Sequence, residues 1–260
     1  MVKFIKTKIV LTTLIAGLFI LNILLISDTY AQNGVEYTRL RYRPLIGGIQ
    51  IEIWYQSSLW SLCTLGYIVK EVYSGRVGII TAGHCSYLYL SGDIYQPERD
   101  PNNYNYIGGP SYISQPQYDF MFIPYSDSAP KILFYNQYTG QAYQIYVNKV
   151  MWFSEVKYFT DRGAKLLTYK TGRTTGTTQG YIYYAEEYCP GYRYNYCLYA
   201  NLYSDKGDSG SPAYFWSYIE GVGGYIELYR HVVYNNTKSS FTLILSPDVV
   251  LSGGYKPLTG

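Results

Sequence analysis

The segment Ile49-Gln50-Ile51-Glu52-Ile53-Trp54 alternates apolar and polar residues, which puts three isoleucines on one face of an extended strand. Shorter runs rich in β-branched and aromatic residues follow at 67–69, 77–80, 120–123, 142–147, 180–184, 213–216 and 241–245. Turn-forming clusters separate them, among them Ser74-Gly75, Asp100-Pro101-Asn102-Asn103 and Asn235-Asn236. Many short strands so punctuated predict an all-β chain, built as barrels or a sandwich. No helical period of useful length emerges, except for a turn near 247–251 that Ser246 is placed to cap. The pattern weighs against an α/β-hydrolase. That fold alternates strands with helices, and its nucleophile elbow needs glycine where this chain has Ser211.

Lys3, Lys6 and Lys8 precede an apolar run from Ile9 to Ile26, and Thr29-Tyr30-Ala31 follows it. A basic start, an apolar stretch and a small residue predict a signal peptide over 1–31, cleaved after Ala31. The run is about 18 residues long, close to what a membrane-spanning helix needs, so an uncleaved N-terminal anchor is the alternative. Either way the remainder lies outside the cytoplasm, secreted or anchored to the outer face of the membrane. Membrane association is expected only with the anchor. About 230 residues remain, enough for one large β domain or two small barrels. The expected division is a short extension over 32–44, a first barrel over 45–135 and a second over 136–260, with turn clusters at 126–130 and 138–140 between them.

Charged residues make up 15% of the chain, against about 25% in an average globular protein. The net charge is only +3 and no basic run follows the presequence, which argues against a nucleic-acid partner. Tyrosine stands out, with 35 residues in 260. Its ring favours strands while its hydroxyl stays wet, so the excess reads as an uncharged, hydrogen-bonding surface. One hypothesis for it is adaptation to hot or acidic surroundings. Asn235-Asn236-Thr237 is a candidate glycosylation acceptor.

Histidine is scarce: the chain has only His84 and His231. His84 lies in Thr81-Ala82-Gly83-His84-Cys85, and a serine flanked by glycines lies far downstream in Gly207-Asp208-Ser209-Gly210-Ser211. A serine hydroxyl becomes a useful nucleophile only beside a base that a third group orients. The orienting acid should be a partly buried carboxylate. Asp93, Asp100 and Asp127 sit in turn sequences, whereas Asp119 opens the apolar run Phe120-Met121-Phe122-Ile123. Asp119 is therefore the expected partner of His84, the alternative being a plain strand-entry or capping aspartate. The glycines around Ser209 suit a tight turn whose backbone amides face a developing oxyanion.

The order His, Asp, Ser, with Thr-Ala-Gly-His-Cys and Gly-Asp-Ser-Gly, resembles the chymotrypsin-type serine proteases. Lys170-Thr171-Gly172-Arg173-Thr174-Thr175-Gly176 is similar to a segment of the bacterial secreted branch, the streptogrisin and alpha-lytic type. The resemblance runs from about Leu45 to near the C-terminus, sparsely between motifs. It implies two packed antiparallel Greek-key β-barrels with the active site in the cleft between them. It also implies His84 as general base, Asp119 as its orienter, Ser209 as nucleophile, and the amides of Gly207 and Ser209 as the oxyanion hole. The implied activity is that of a serine endopeptidase without metal or cofactor, a monomer acting on polypeptide substrates.

Four cysteines allow three connectivities, and the expected one is Cys63–Cys85 with Cys189–Cys197. The resembled family has a bridge beside its histidine; the second pair closes a small loop without a family counterpart. Zinc is disfavoured because no paired Cys-x-x-Cys is present. Asp208, before the nucleophile, needs a cation if it is buried. Two candidates follow from the resemblance: an amino terminus freed at Leu45, in Leu45-Ile46-Gly47-Gly48, and Arg173, which is preferred because it needs no cleavage. By offset from Ser209, Tyr203 would lie at the base of the substrate pocket and Gly223, Gly224 and Tyr225 along one wall. With no aspartate at the Tyr203 position, a medium or large apolar side chain is the expected preference. A non-catalytic binding protein that keeps the fold, and a tyrosine-rich coat protein, are the competing functional readings.

Overall fold

The computed structural model describes residues 33–86, 92–114, 118–189, 195–219, 223–236 and 241–260, with the backbone alone within 216–241. The expected signal segment, Asn235-Asn236-Thr237 at its threonine, and residues 221–222 lie outside this description.

The first half contains β1 (Leu45–Gly47), β2 (Gln50–Tyr55), β3 (Ser58–Thr64), β4 (Tyr67–Glu71), β5 (Val77–Ala82), β6 (Asp93–Tyr95), β7 (Tyr106–Gly108), β8 (Tyr112–Ser114) and β9 (Phe120–Pro124). The second contains β10 (Ser128–Asn136), β11 (Gln141–Val150), β12 (Leu166–Gly172), β13 (Gly176–Tyr188), β14 (Asn195–Ala200), β15 (Pro212–Ile219), β16 (Gly223–Asn236) and β17 (Phe241–Leu245). A last strand, β18 (Tyr255–Pro257), returns to pair antiparallel with β4 of the first half.

The chain is all-β, as its periodicity predicts. Strands β16, β15, β12, β13, β14 and β17 pair in that order, and β17 pairs back onto β16, closing an antiparallel barrel. The first half forms a five-stranded sheet, β18-β4-β5-β9-β8, and a four-stranded sheet, β3-β2-β6-β7. These two sheets share one core, in which Ile51 and Ile53 of β2 meet Ile68, Ile79, Met121 and Ile123. The inward isoleucines of β2 are the ones its alternation singled out. A second cluster joins the halves: Tyr67, Ile80, Phe120 and Phe122 pack with Phe134, Val147 and Tyr214. Burying this much aromatic and aliphatic surface fixes the halves against each other, at about 25 cal/mol per Å² removed from water.

Three points differ from the sequence expectation. The change of sheet falls between β9 and β10, whereas the expected division at 135/136 lies inside the β10–β11 hairpin, where Asn136 pairs with Gln141. A helix forms at Phe153–Thr160, whose Phe153, Val156 and Thr160 are buried at helical spacing; eight residues were too few to register as a period. The helix Pro247–Ser252 is present, but the Ser246 hydroxyl bonds the Asp248 carboxylate instead of capping the backbone.

Residues 34–44 of the expected extension are packed onto both halves. Tyr37 stacks on Tyr135 with centroids 5.7 Å apart, and Arg41 Nε donates to Asn105 Oδ1 at 3.1 Å. The chain then enters β1, where the Leu45 amide donates to Asp127 O at 2.8 Å. Among the described residues no helix is long and apolar enough to cross a membrane.

Candidate active site

Strand pairing brings His84 and Asp119, the expected base and its orienting carboxylate, together. β5 and β9 run antiparallel with Ala82 opposite Phe120, so the residues just beyond that pair, Gly83-His84 and Asp119, leave the sheet side by side. A 3-10 turn at Gly83–Cys85 carries His84, and the Cys63–Cys85 disulfide ties that turn to β3. Ser61 Oγ donates to Cys85 O, a further link between the same elements. Asp119 is 1% exposed and adopts φ +35°, a left-handed conformation that aspartate tolerates better than most side chains. One carboxylate oxygen accepts the His84 backbone N–H at 2.7 Å, and the other faces His84 Nδ1 at 2.8 Å. Both ring orientation and tautomer are thereby set, with the proton on Nδ1.

His84 Nε2 lies 2.9 Å from Ser209 Oγ. Ser209 sits in the loop that precedes β15, between Gly207 at φ +99° and Gly210 at φ +90°. Both conformations favour glycine. A Cβ on Gly210 would run into Thr81 Oγ1 and Thr64 O, so its absence lets the loop lie against β5 and the end of β3. Thr64 completes that junction. Its amide donates to Ser209 O at 2.9 Å and its hydroxyl to Gly207 O at 2.9 Å. Among the described residues neither the Gly207 nor the Ser209 amide donates to a protein acceptor.

Burial pushes the His84 imidazolium towards losing its proton, but the hydrogen bond and charge of Asp119 outweigh it, and the pKa is raised above the ordinary 6.5. The arrangement has what hydroxyl activation requires: an oriented imidazole in contact with the hydroxyl, and two backbone donors left free nearby.

The cation for Asp208 is neither expected candidate. Lys170 Nζ lies 3.0 Å from Asp208 Oδ2, with both side chains sealed from solvent. Strand β12 buries Thr168, Lys170 and Gly172 at alternate positions, pointing Lys170 into the barrel. Arg173 falls beyond the strand end, and its Nε donates instead to Gln50 Oε1 at 3.0 Å. The expected Asp208–Arg173 pair is thus corrected to Asp208–Lys170. The place of a Leu45 amino terminus is likewise taken by Lys170, and the Leu45 amide donates to Asp127 O. Thr174 N, Thr175 N, Thr175 Oγ1 and Asp205 N also donate to the Asp208 carboxylate. Burial pushes that carboxyl up, but Lys170 and these donors hold it below the usual carboxylate range. Sequence reasoning missed Lys170, although it lies inside the very motif that drew attention to Arg173: residues 168–172 carry no apolar–polar alternation that marks an inward side chain.

The expected pocket wall is also corrected. Gly223, Gly224 and Tyr225 pair with Ile219, Tyr218 and Ser217, whereas Pro212, next to the nucleophile loop, pairs with His231. Eight residues along β16 separate Gly223 from His231, roughly 25 Å of strand, so these residues do not flank Ser209. The hairpin is simply longer than the offset assumed. Tyr203 is 65% exposed, with its carbonyl accepting from Thr178 Oγ1 at 2.8 Å. The Cys189–Cys197 bridge forms as expected, joining the ends of β13 and β14. Among the described residues no cluster of His, Cys, Asp or Glu could hold a metal ion.

No protein-family model and no curated protein matches the sequence. Solved structures do match the fold. Thermobifida fusca protease A aligns with a TM-score of 0.53 at 16% identity, over 83% of this chain and 98% of that one. Cellulomonas bogoriensis chymotrypsin aligns at 0.52 and 19% identity, over 83% and 98%. An alpha-lytic protease homolog aligns at 0.52 and 17%, over 82% and 98%. The chain has the double-barrel fold of the bacterial chymotrypsin-like serine proteases.

Proposed function

We propose that this chain is an exported serine endopeptidase. The observation that carries the reading is the continuous contact from Asp119 through His84 to Ser209, made by residues from both halves of the chain. In this mechanism Ser209 Oγ attacks the peptide carbonyl while His84 Nε2 takes its proton. The tetrahedral oxyanion is held by the Gly207 and Ser209 amides. His84, kept upright and stabilised as imidazolium by Asp119, gives the proton to the leaving amine, and water then releases the acyl-enzyme by the same steps. Polypeptides are the substrates, and no metal or cofactor takes part. The two disulfides accord with an oxidising compartment, and the basic and apolar N-terminal run supplies the export signal.

The test is covalent labelling of the mature protein with a fluorophosphonate, alongside hydrolysis of a mixed peptide library. Labelling and hydrolysis that both vanish in Ser209→Ala support the endopeptidase. A folded protein that neither labels nor hydrolyses is a binding protein on this scaffold, and the proposal fails.

A further inference from the structure

We infer that Thr174 is a positioning residue that sets the direction of the Gly207 amide, and so holds one oxyanion donor in place; this rests on the endopeptidase reading above. In a planar trans peptide the C=O and N–H point to opposite sides. The unit joining Lys206 to Gly207 has Lys206 O at one edge and the Gly207 N–H at the other. Thr174 Oγ1 donates to Lys206 O at 2.7 Å from the turn between β12 and β13. That bond faces the carbonyl towards the turn and therefore faces the Gly207 N–H away from it.

The neighbouring peptides of the loop are held by other means. In the unit joining Gly207 to Asp208, Thr64 Oγ1 donates to Gly207 O while Asp208 N donates to Asp205 O at 2.9 Å, so both edges are fixed. In the next unit, Asp208 O accepts from Ser211 N at 2.9 Å, a backbone bond that aims the Ser209 N–H. The first unit differs because a single side-chain hydroxyl holds it, with no backbone bond beside it. It is also the one most able to turn, since Gly207 has no Cβ to resist rotation. Thr174 is itself anchored to the same loop, its amide donating to Asp208 Oδ1 at 2.9 Å. The fit is close: a Cβ on Gly207 would meet Thr174 Oγ1 before most other atoms.

The experiment compares wild type, Thr174→Val and Thr174→Ser. Valine keeps the shape without the donor, and serine keeps the donor. The readouts are the second-order rate of fluorophosphonate labelling, kcat and KM on the peptide library's best substrate, the pH midpoint of the acid limb and the thermal midpoint. Losing an oxyanion donor outright costs about 10²–10³ in turnover, so Thr174→Val should slow labelling and kcat about ten- to a hundredfold, with KM little changed. The acid limb should not move, because it belongs to His84 and Asp119. Thr174→Ser should restore the rate to within about threefold, which a mere packing role would not do. Wild-type rates in Thr174→Val, or equal losses in valine and serine variants, overturn the inference while leaving an active wild type as an endopeptidase. A wild type that neither labels nor hydrolyses overturns both.

Discussion

Lys170 Nζ and Asp208 Oδ2 stand 3.0 Å apart with no solvent reaching either side chain. A buried carboxylate stripped of its cation is among the costlier defects a core can carry, typically about 3–5 kcal/mol. Lys170→Met should therefore lower stability by about that much, and it should also disorder the loop that presents Ser209, abolishing fluorophosphonate labelling. Arg173→Ala, whose guanidinium bonds Gln50 rather than Asp208, should keep most of its labelling rate. Denaturant melts and labelling of the two variants check this, and the reverse ranking would restore Arg173 as the partner.

Asp208 also governs behaviour in acid. Its folded pKa lies below the ordinary value, so its ionised form stabilises the fold at every pH above the unfolded value of about 3.9. That contribution is lost as pH falls through the lower, folded value. Among the described residues the other carboxylates with lowered pKa values are Glu71, paired with Arg76, and Asp100, which accepts backbone amides; both lie near the surface, where such contacts contribute little. Acid unfolding should thus start well below pH 4, and Asp208→Asn should lower stability at pH 7 but lose less further stability than wild type between about pH 5 and pH 1. Unfolding of the wild type already at pH 5 would contradict this.

His84 works in the opposite sense. Its pKa is raised, so protonated His84 favours the folded state at pH below its unfolded value of about 6.5, and that share of stability fades as pH rises through the folded value. Activity needs the neutral ring, so kcat/KM should climb over the same interval in which this contribution is lost. The acid limb of the pH–rate profile should have its midpoint above 6.5, and Asp119→Asn should pull that midpoint down while cutting kcat by about 10⁴. A profile still at full height below pH 5 would mean that His84 is not the base.

These features were legible in the sequence to different depths. The alternation over 49–54 gave β2 and its inward isoleucines, because Ile51 and Ile53 are fully buried while Glu52 and Trp54 on the other face are only partly so. Asp119 could be chosen because it adjoins an apolar strand, and the pairing of Ala82 with Phe120 explains why that adjacency delivers it to His84. Lys170 was hidden because a lysine reads as surface, and its neighbours Thr168, Tyr169, Thr171 and Gly172 give no alternation that marks an inward face. The pocket wall could not be placed because the β15–β16 hairpin is tyrosine-rich along its whole length, which blurs the two faces and leaves strand length and register undetermined. Thr64 and Thr174 gave no signal at all, since each acts through a hydroxyl contact across more than 30 residues.

Gly210 offers a test of how tightly the halves meet at the nucleophile. Its φ of +90° costs an L-residue about 1–2 kcal/mol in backbone energy alone. An added methyl would also press on Thr81 Oγ1 and Thr64 O, and on Ala82 N at 3.1 Å. Two of these atoms are backbone of paired strands, and Thr81 Oγ1 is held by its 2.7 Å bond to Thr64 O, so the loop must give way instead. Moving it stretches the 2.9 Å bond from Thr64 N to Ser209 O and draws Ser209 Oγ away from His84. A displacement of about 1 Å at reacting atoms costs on the order of 10² in rate. Gly210→Ala should therefore lose at least about 2 kcal/mol of stability and about a hundredfold in labelling rate, while leaving the His84–Asp119 contact and the acid-limb midpoint where they are. A variant that melts and labels like wild type would show that the nucleophile loop is free to shift, and that its seat against Thr64 and Thr81 does not determine where Ser209 stands.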